Sequence, residues 1–401
     1  MRLFIDSMTG NKLFDNTEKA FALKTDAALE RAFALFRMIS SESLVKIGTN
    51  LTKIALNMHL PVEGLIRATV FDHFCGGVNE QDAMSVVKSL QSVGVRSVLD
   101  YSVEGKEEEA QFDATRDKVL SLIEFSTEKS SMPFAVFNPT GLGRFKIWEA
   151  SAQGRLQGPQ VEEWNRLAQR YDDLASAAHK NDLMLLIDAE ESWMQDGADA
   201  LCTQMMFRYN KTRPVVFNTL QCYRHDRLDY LKEIHLQSKS KGIKLGFKVV
   251  RGAYMEKEND RALNLGYPTP ICRDKKHTDE VFDSVITYIL KNLNDIALFM
   301  GSHNEESTLK ALELMEQYGI EKNDPRVWFG QLYGMSDHIT YNLSDQGYNV
   351  AKYIPFGPVK DVMPYLIRRA EENTSVAGQT SRELELLKKE LRRRKTARGQ
   401  A

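Results

Sequence analysis

Beyond Val93 the texture of the chain changes: short apolar runs alternate with longer amphipathic segments, and this rhythm constrains the fold more than any single motif. The runs occupy positions 95–99, 134–137, 183–187, 215–220, 245–250, 296–300, 327–329 and 349–354. A brief run that is apolar throughout reads as a strand covered on both faces, and the amphipathic stretch after it reads as a crossover helix. Eight strands joined this way predict an α/β chain folded as a (β/α)8 TIM-like barrel, distorted from the regular form. A polar or special residue stands at or just beyond the end of each run: Asp100, Asn138, Asp188, Gln221, Arg251, His303, Gln331 and Tyr353. Such a barrel assembles its active site from strand ends and the loops that follow them. A doubly wound open sheet satisfies the same pattern.

Ahead of the runs the spacing is helical. Ala27, Ala28, Ala32, Phe33 and positions 35–38 recur every three to four residues, positions 44–58 repeat the pattern, and Pro61 opens a further helical stretch. The expected organisation is a helical extension over 1–92, the barrel over 93–376 and a basic tail over 377–401. The length of 401 residues fits, because one barrel takes roughly 250 and leaves room for additions.

A hydrophobic fraction of 42% with 27% charged residues describes a soluble globular chain, and a formal net charge of -2 argues against nucleic acid as a partner. Cys75, Cys202, Cys222 and Cys272 form no Cys-x-x-Cys pair and the histidines lack ligand spacing, so no metal site is expected. Met1-Arg2-Leu3-Phe4-Ile5-Asp6 has neither the apolar core of a signal peptide nor the arginine-rich character of a transit peptide. No apolar run approaches the roughly 20 residues that span a bilayer. The expected location is cytoplasmic, with at most peripheral contact at the inner face of the cell membrane. The tail from Glu383 to Lys395 is apolar on one side and ends strongly basic, which suits either an ordinary exposed helix or an interfacial helix drawn to anionic lipid. The acidic stretch Glu104-Gly105-Lys106-Glu107-Glu108-Glu109 reads as a solvated helix start.

Motifs for nucleophilic or phosphoryl chemistry are missing: there is no Gly-x-Ser-x-Gly elbow, Walker loop or His-Glu-x-x-His helix. Gly141-Leu142-Gly143 lacks the third glycine of a dinucleotide fingerprint. Arg368-Arg369 is more informative. Two adjacent guanidiniums on an apolar stretch suit a small carboxylate held by bidentate bonds, and Glu372, one helical turn on, can orient both. A solvated helix face with an intrahelical ion pair is the plainer reading. Lys248-Val249-Val250-Arg251-Gly252-Ala253-Tyr254 places cations and an aromatic at the fifth strand end, or simply an internal lysine against acidic neighbours. Asp188-Ala189-Glu190-Glu191 supplies carboxylates that can pair with basic groups, or an acidic helix start. Ser302-His303-Asn304 can meet a phosphate or a cofactor ring, or can hold an ordinary structural histidine.

Taken in order, these segments resemble FAD-dependent proline dehydrogenases. The resemblance runs from about Arg96 to Val376 and rests on Leu99-Asp100-Tyr101, Ile187-Asp188-Ala189-Glu190-Glu191, Leu220-Gln221-Cys222-Tyr223, Val250-Arg251-Gly252-Ala253-Tyr254, Ser302-His303-Asn304, Gln331-Leu332-Tyr333-Gly334-Met335, Tyr353-Ile354-Pro355-Phe356-Gly357 and Tyr365-Leu366-Ile367-Arg368-Arg369-Ala370-Glu371-Glu372-Asn373. With its helical extension the chain is similar to the longer monofunctional members.

The resemblance implies oxidation of L-proline to Δ1-pyrroline-5-carboxylate, with electrons passed through FAD to a membrane quinone. It implies that Arg368 and Arg369 grip the substrate carboxylate with Glu372 orienting them, and that Tyr353, Tyr254 and Leu332 enclose the ring. Asp188 matches an active-site carboxylate and Lys248 the basic residue beside the flavin; with Tyr353 these are the expected catalytic group. Gln221, Val250, Gly252, His303 and Asn304 match other flavin contacts, and Thr278 lies near a helix start expected to approach the cofactor phosphates. One position departs from the pattern: Asn138 stands where relatives commonly carry a lysine that adds a third cation to the carboxylate site. Two other functions stay open, a hydroxyproline dehydrogenase and a flavin-binding barrel with weakened activity. The bulk of Tyr353 favours the unsubstituted ring.

Overall fold

The computed structural model describes residues 13–41, 63–101, 107–127, 129–375 and 379–399. Strands β1 (Arg96–Tyr101), β2 (Phe134–Phe137), β3 (Met184–Ile187), β4 (Val216–Gln221), β5 (Leu245–Val250), β6 (Ile296–Gly301), β7 (Val327–Leu332) and β8 (Val350–Phe356) form a closed barrel in sequence order. Closure removes the open-sheet alternative. From β1 to β7 the neighbours pair in parallel, with Gln221 opposite Val250 and Lys248 opposite Phe299.

The strands β2 and β4 are buried at every position; β2 is accordingly apolar without alternation, while β4 also buries Asn218, Thr219 and Gln221. Two predicted runs, 134–137 and 245–250, coincide with the strands. The largest difference is at β7, predicted to end at Phe329 and found to continue through Gly330 and Gln331 to Leu332. Glycine breaks an apolar run on paper. In the barrel its missing side chain makes room: a Cβ on Gly330 would come within 2.2 Å of the Phe299 ring.

The chain packs as two compact units, Arg96–Gly330 and a second built from Met1–Val95 with Gln331–Ala401. In the first unit, parallel strands alternate with helices such as Pro159–Lys180, Ser192–Tyr209 and Lys275–Lys291. The acidic stretch leads into the helix Glu109–Ser126, while positions 104–106 lie outside the described residues.

The second unit has its own core. Helix Asp26–Ile39 begins at Thr25, whose hydroxyl accepts from the Ala28 N–H at 3.2 Å, and buries Leu29, Ala32, Leu35, Phe36 and Ile39 along one stripe. That stripe joins Phe71, Phe74, Val362, Leu366, Leu386 and Leu387 in one apolar cluster. Each large buried side chain contributes roughly 1.5–3 kcal/mol. The predicted helix over 44–58 lies outside the described residues; the one opened by Pro61 is seen from Glu63 onward, with a π turn at Arg67–Phe71.

The basic tail is the helix Gln379–Ala397, and its apolar residues are not free. Leu386 and Leu387 are buried, and the fully buried Glu390 accepts from Arg393 and Arg394. Arg394 also donates to the carbonyls of Phe21 (2.9 Å) and Lys24 (2.8 Å), in the segment between the helices Thr17–Ala20 and Asp26–Ile39. The side that an interfacial helix would sink into lipid is spent inside the unit. Among the described residues no helix is long and apolar enough to cross a membrane.

Candidate active site

In the first unit several of the expected site residues gather at the carboxyl ends of β3, β4 and β5. Lys248 points from β5 to Asp188, the residue after β3, and the two form an ion pair. The lysine is 5% exposed, so its charge is stable there only with a partner. Asp188 is held in turn: its N–H donates to the Phe137 carbonyl at 3.1 Å, and Thr219 on β4 donates to the Ile187 carbonyl at 2.6 Å. The predicted pairing of the Asp188-Ala189-Glu190-Glu191 carboxylates with basic groups is therefore present, since Glu191 also meets Lys257.

Near this pair in strand register, β4 ends in Gln221, whose Oε1 is buried and has no hydrogen-bond partner among the described residues. An acceptor in that state suits a donor from a bound molecule or a water, because leaving it unmet costs about 1–3 kcal/mol. Beyond Gln221 the backbone continues to follow β5, with the Cys222 N–H donating to Val250 and the Tyr223 N–H to Arg251 at 2.8 and 2.7 Å. Gly252 has φ +124, and a Cβ there would meet the Tyr223 ring at 2.5 Å, so only glycine lets this turn lie on the aromatic. Burial raises the Tyr223 phenol well above its ordinary value, and the ring stays neutral. Val250 is half-buried and Gly252 exposed, which leaves this ledge accessible to a ligand.

Other expected contacts are engaged locally. Asn304 caps the helix Glu305–Gln317, its Oδ1 accepting from the Ser307 N–H at 2.8 Å, beside the half-buried His303. Thr278 donates to the Asp274 carbonyl at 3.3 Å in the first turn of Lys275–Lys291. Asp274 itself caps that helix, placing a carboxylate at the end expected to approach phosphates. Arg251 turns toward Asp279 (2.6 Å), Ser302 (3.2 Å) and Ser307 (3.0 Å) and stacks over Phe282. Asn138 is half-buried at the end of β2, just before the turn Pro139–Gly141.

Sequence reasoning missed how these loops are tied together. Thr140 donates from its N–H (2.9 Å) and hydroxyl (2.8 Å) to Glu190. Glu258, fully buried, accepts from the N–H (2.6 Å) and hydroxyl (2.5 Å) of Ser192 and so caps the helix Ser192–Tyr209 from a distant segment. Tyr254, half-buried, sits one turn before Glu258. A buried glutamate in the otherwise polar helix Met255–Leu265 leaves no mark in sequence.

In the second unit, Tyr353 is buried in β8 and its carbonyl accepts from the Tyr333 N–H at 2.8 Å, while Leu332, at the end of β7, is half-buried. Arg368 and Arg369 occupy the helix Val359–Ser375, half-buried and buried respectively, with the Arg369 guanidinium 5.2 Å from the centre of the Tyr365 ring. The side chain of Glu372 lies outside the described residues.

Comparison with known proteins bears on the family and the fold. Residues 83–382 match the family model described as proline dehydrogenase. The chain is 36% identical over 333 residues to the carbapenem antibiotics biosynthesis protein CarD of Pectobacterium carotovorum subsp. carotovorum, covering 83% of this chain and 86% of that protein. It is 30% identical over 412 residues to a hydroxyproline dehydrogenase of Xenopus laevis, covering 93% of this chain and 88% of that protein. Its fold matches the crystal structure of proline utilization A from Bdellovibrio bacteriovorus inactivated by N-propargylglycine, with a TM-score of 0.74 at 19% identity, over 95% of this chain. The chain spans 43% of the length of that structure's polypeptide. A closed barrel with a matching family model over three quarters of its length leaves one assignment: the chain belongs to the proline dehydrogenase family.

Proposed function

We propose that this protein oxidises L-proline to Δ1-pyrroline-5-carboxylate with FAD as its cofactor and a membrane quinone as the final acceptor. The observation that carries the reading is the ledge at the ends of β4 and β5: a buried acceptor without a partner, Gln221 Oε1, close in sequence register to the buried cation Lys248. An isoalloxazine ring, with an N–H donor for the amide oxygen and ring-nitrogen and carbonyl acceptors for the ammonium, suits both groups. Val250 and Gly252 would lie along it, and His303 and Asn304 would follow. When bound, FAD would supply a two-electron oxidant that takes a hydride from the ring carbon next to nitrogen, with the substrate nitrogen releasing a proton as the C=N bond forms.

The residues of this chain supply orientation. As the family resemblance implies, Arg368 and Arg369 would take the carboxylate by bidentate bonds, the expected roles of Tyr353, Tyr254 and Leu332 are to enclose the ring and exclude water, and Asp188 holds the Lys248 ammonium in place. Asn138 offers a neutral donor in place of a cation, which weakens the hold on the carboxylate.

The test is an absorbance spectrum of the purified protein under argon before and after L-proline. A yellow protein that bleaches supports the reading, and a colourless protein that FAD does not reconstitute ends it. The likeness to a hydroxyproline dehydrogenase makes hydroxyproline the competing substrate. Faster bleaching by hydroxyproline would transfer the assignment to it, against the expectation from the bulk of Tyr353.

A further inference from the structure

Lys352 adjoins Tyr353 in β8, and strand alternation sends the two side chains to opposite faces. Lys352 is 0% exposed. Its ammonium donates to the carbonyls of Leu332 (3.2 Å) and Met335 and pairs with Asp337 at 2.9 Å. Lys24 reaches the second oxygen of Asp337 at 3.1 Å, and Lys24 is itself fixed by Arg394, which donates to its carbonyl.

The loop gripped in this way is constrained at nearly every residue. The Tyr333 N–H donates to Tyr353, and His73 Nε2 donates to the Gly334 carbonyl at 2.9 Å. Gly334 has φ +79, and a Cβ there would come within 2.2 Å of the His73 carbonyl. Ser336 has φ +50, a backbone state that residues with side chains rarely adopt. Stability alone does not call for a charge here, because apolar residues of similar volume often replace a buried ion pair at no cost. A cation that binds two carbonyls three residues apart, at either side of one turn, is a device for geometry.

We propose that Lys352 is a positioning residue which, through the Leu332 and Met335 carbonyls, fixes the loop after β7 and makes Leu332 a rigid wall that discriminates between substrate rings. This rests on the reading of Leu332 and Tyr353 as the enclosure of the substrate. Lys24 and Asp337 complete the device: the aspartate neutralises Lys352, and the second lysine keeps that aspartate from drawing the first away from the carbonyls.

The experiment uses the full-length, FAD-loaded enzyme. The ratio of kcat/KM for L-proline to that for trans-4-hydroxy-L-proline is measured for the wild type, Lys352→Met, Lys24→Met and Leu332→Ala, with amide hydrogen exchange followed over residues 331–337. Lys352→Met is expected to shrink the ratio about fivefold or more and to speed exchange about tenfold. Lys24→Met shifts both in the same direction by less, and Leu332→Ala shrinks the ratio while leaving exchange slow. Unchanged exchange in Lys352→Met, or faster exchange with an unchanged ratio, overturns the proposal. If Lys352→Met does not fold, Lys24→Met decides by the same two readouts. Failure of the underlying reading looks different: the wild type would oxidise neither substrate, whereas the exchange measurement needs no turnover.

Discussion

Lys248 in β5 and Lys352 in β8 are both strand lysines paired with an aspartate, yet their surroundings differ in kind. The Asp188 side chain that meets Lys248 is 24% exposed, whereas the Asp337 side chain that meets Lys352 is 5% exposed. The first pair stands beside the unmet acceptor Gln221; the second is enclosed by backbone carbonyls and a second lysine. Burial opposes charge on Asp337, but Lys24 and Lys352 outweigh it and hold the carboxyl below its usual range. The difference teaches that a buried strand lysine in this fold is read by what surrounds its partner: an accessible aspartate suits chemistry, an enclosed one suits architecture.

Breaking the enclosed pair gives the largest effect. Lys352→Met leaves Asp337 with one cation in place of two and is expected to cost about 3–5 kcal/mol, measured as a lower midpoint in urea denaturation. A loss below about 1 kcal/mol would erase the contrast between the two lysines. At the open pair the sign of the comparison reverses. Lys248→Met is expected to lower kcat about 100-fold or more while the urea midpoint moves little, because Asp188 can turn to solvent. Equal losses of stability in both variants would show that Lys248 is architectural too.

His73 sharpens the contrast by pH. Burial, with help from the nearby Lys24 charge, depresses its pKa to about 3. The neutral ring contributes stability that is complete above its unfolded pKa of about 6.5 and is lost as pH falls from there toward 3, at up to about 1.4 kcal/mol per pH unit. Thermal midpoints between pH 7 and 5 should therefore fall more steeply for the wild type than for His73→Gln, and parallel curves would count against a buried neutral ring. The smallest effect is expected at Asn138→Lys. If that position faces the substrate carboxylate, a restored cation tightens proline binding by about 1 kcal/mol, or severalfold in Kd by equilibrium titration. An unchanged Kd removes Asn138 from the site.

Both lysines were visible as charges inside apolar runs, at 245–250 and 349–354, and the ends of the runs 183–187, 215–220 and 349–354 located Asp188, Gln221 and Tyr353. Their partners were less visible. Asp188 lies 60 residues before Lys248 in sequence, and Lys24 precedes the barrel altogether. Pairings of that range come from strand order and helix docking, and no local spacing records them. The tail shows the same gap: its apolar side and its basic residues were plain, but only packing against Asp26–Ile39 shows them occupied by Phe21, Lys24 and Asp26.

By itself the sequence determined the eight strands, because strands covered on both faces read as short, predominantly apolar runs, and it determined the family, because motif order survives at strand ends. The tertiary structure decided closure of the sheet, the extension of β7 through Gly330, and which lysine is enclosed. Those outcomes depend on close contact and desolvation between segments far apart in the chain, and neither quantity is a property of any one of them.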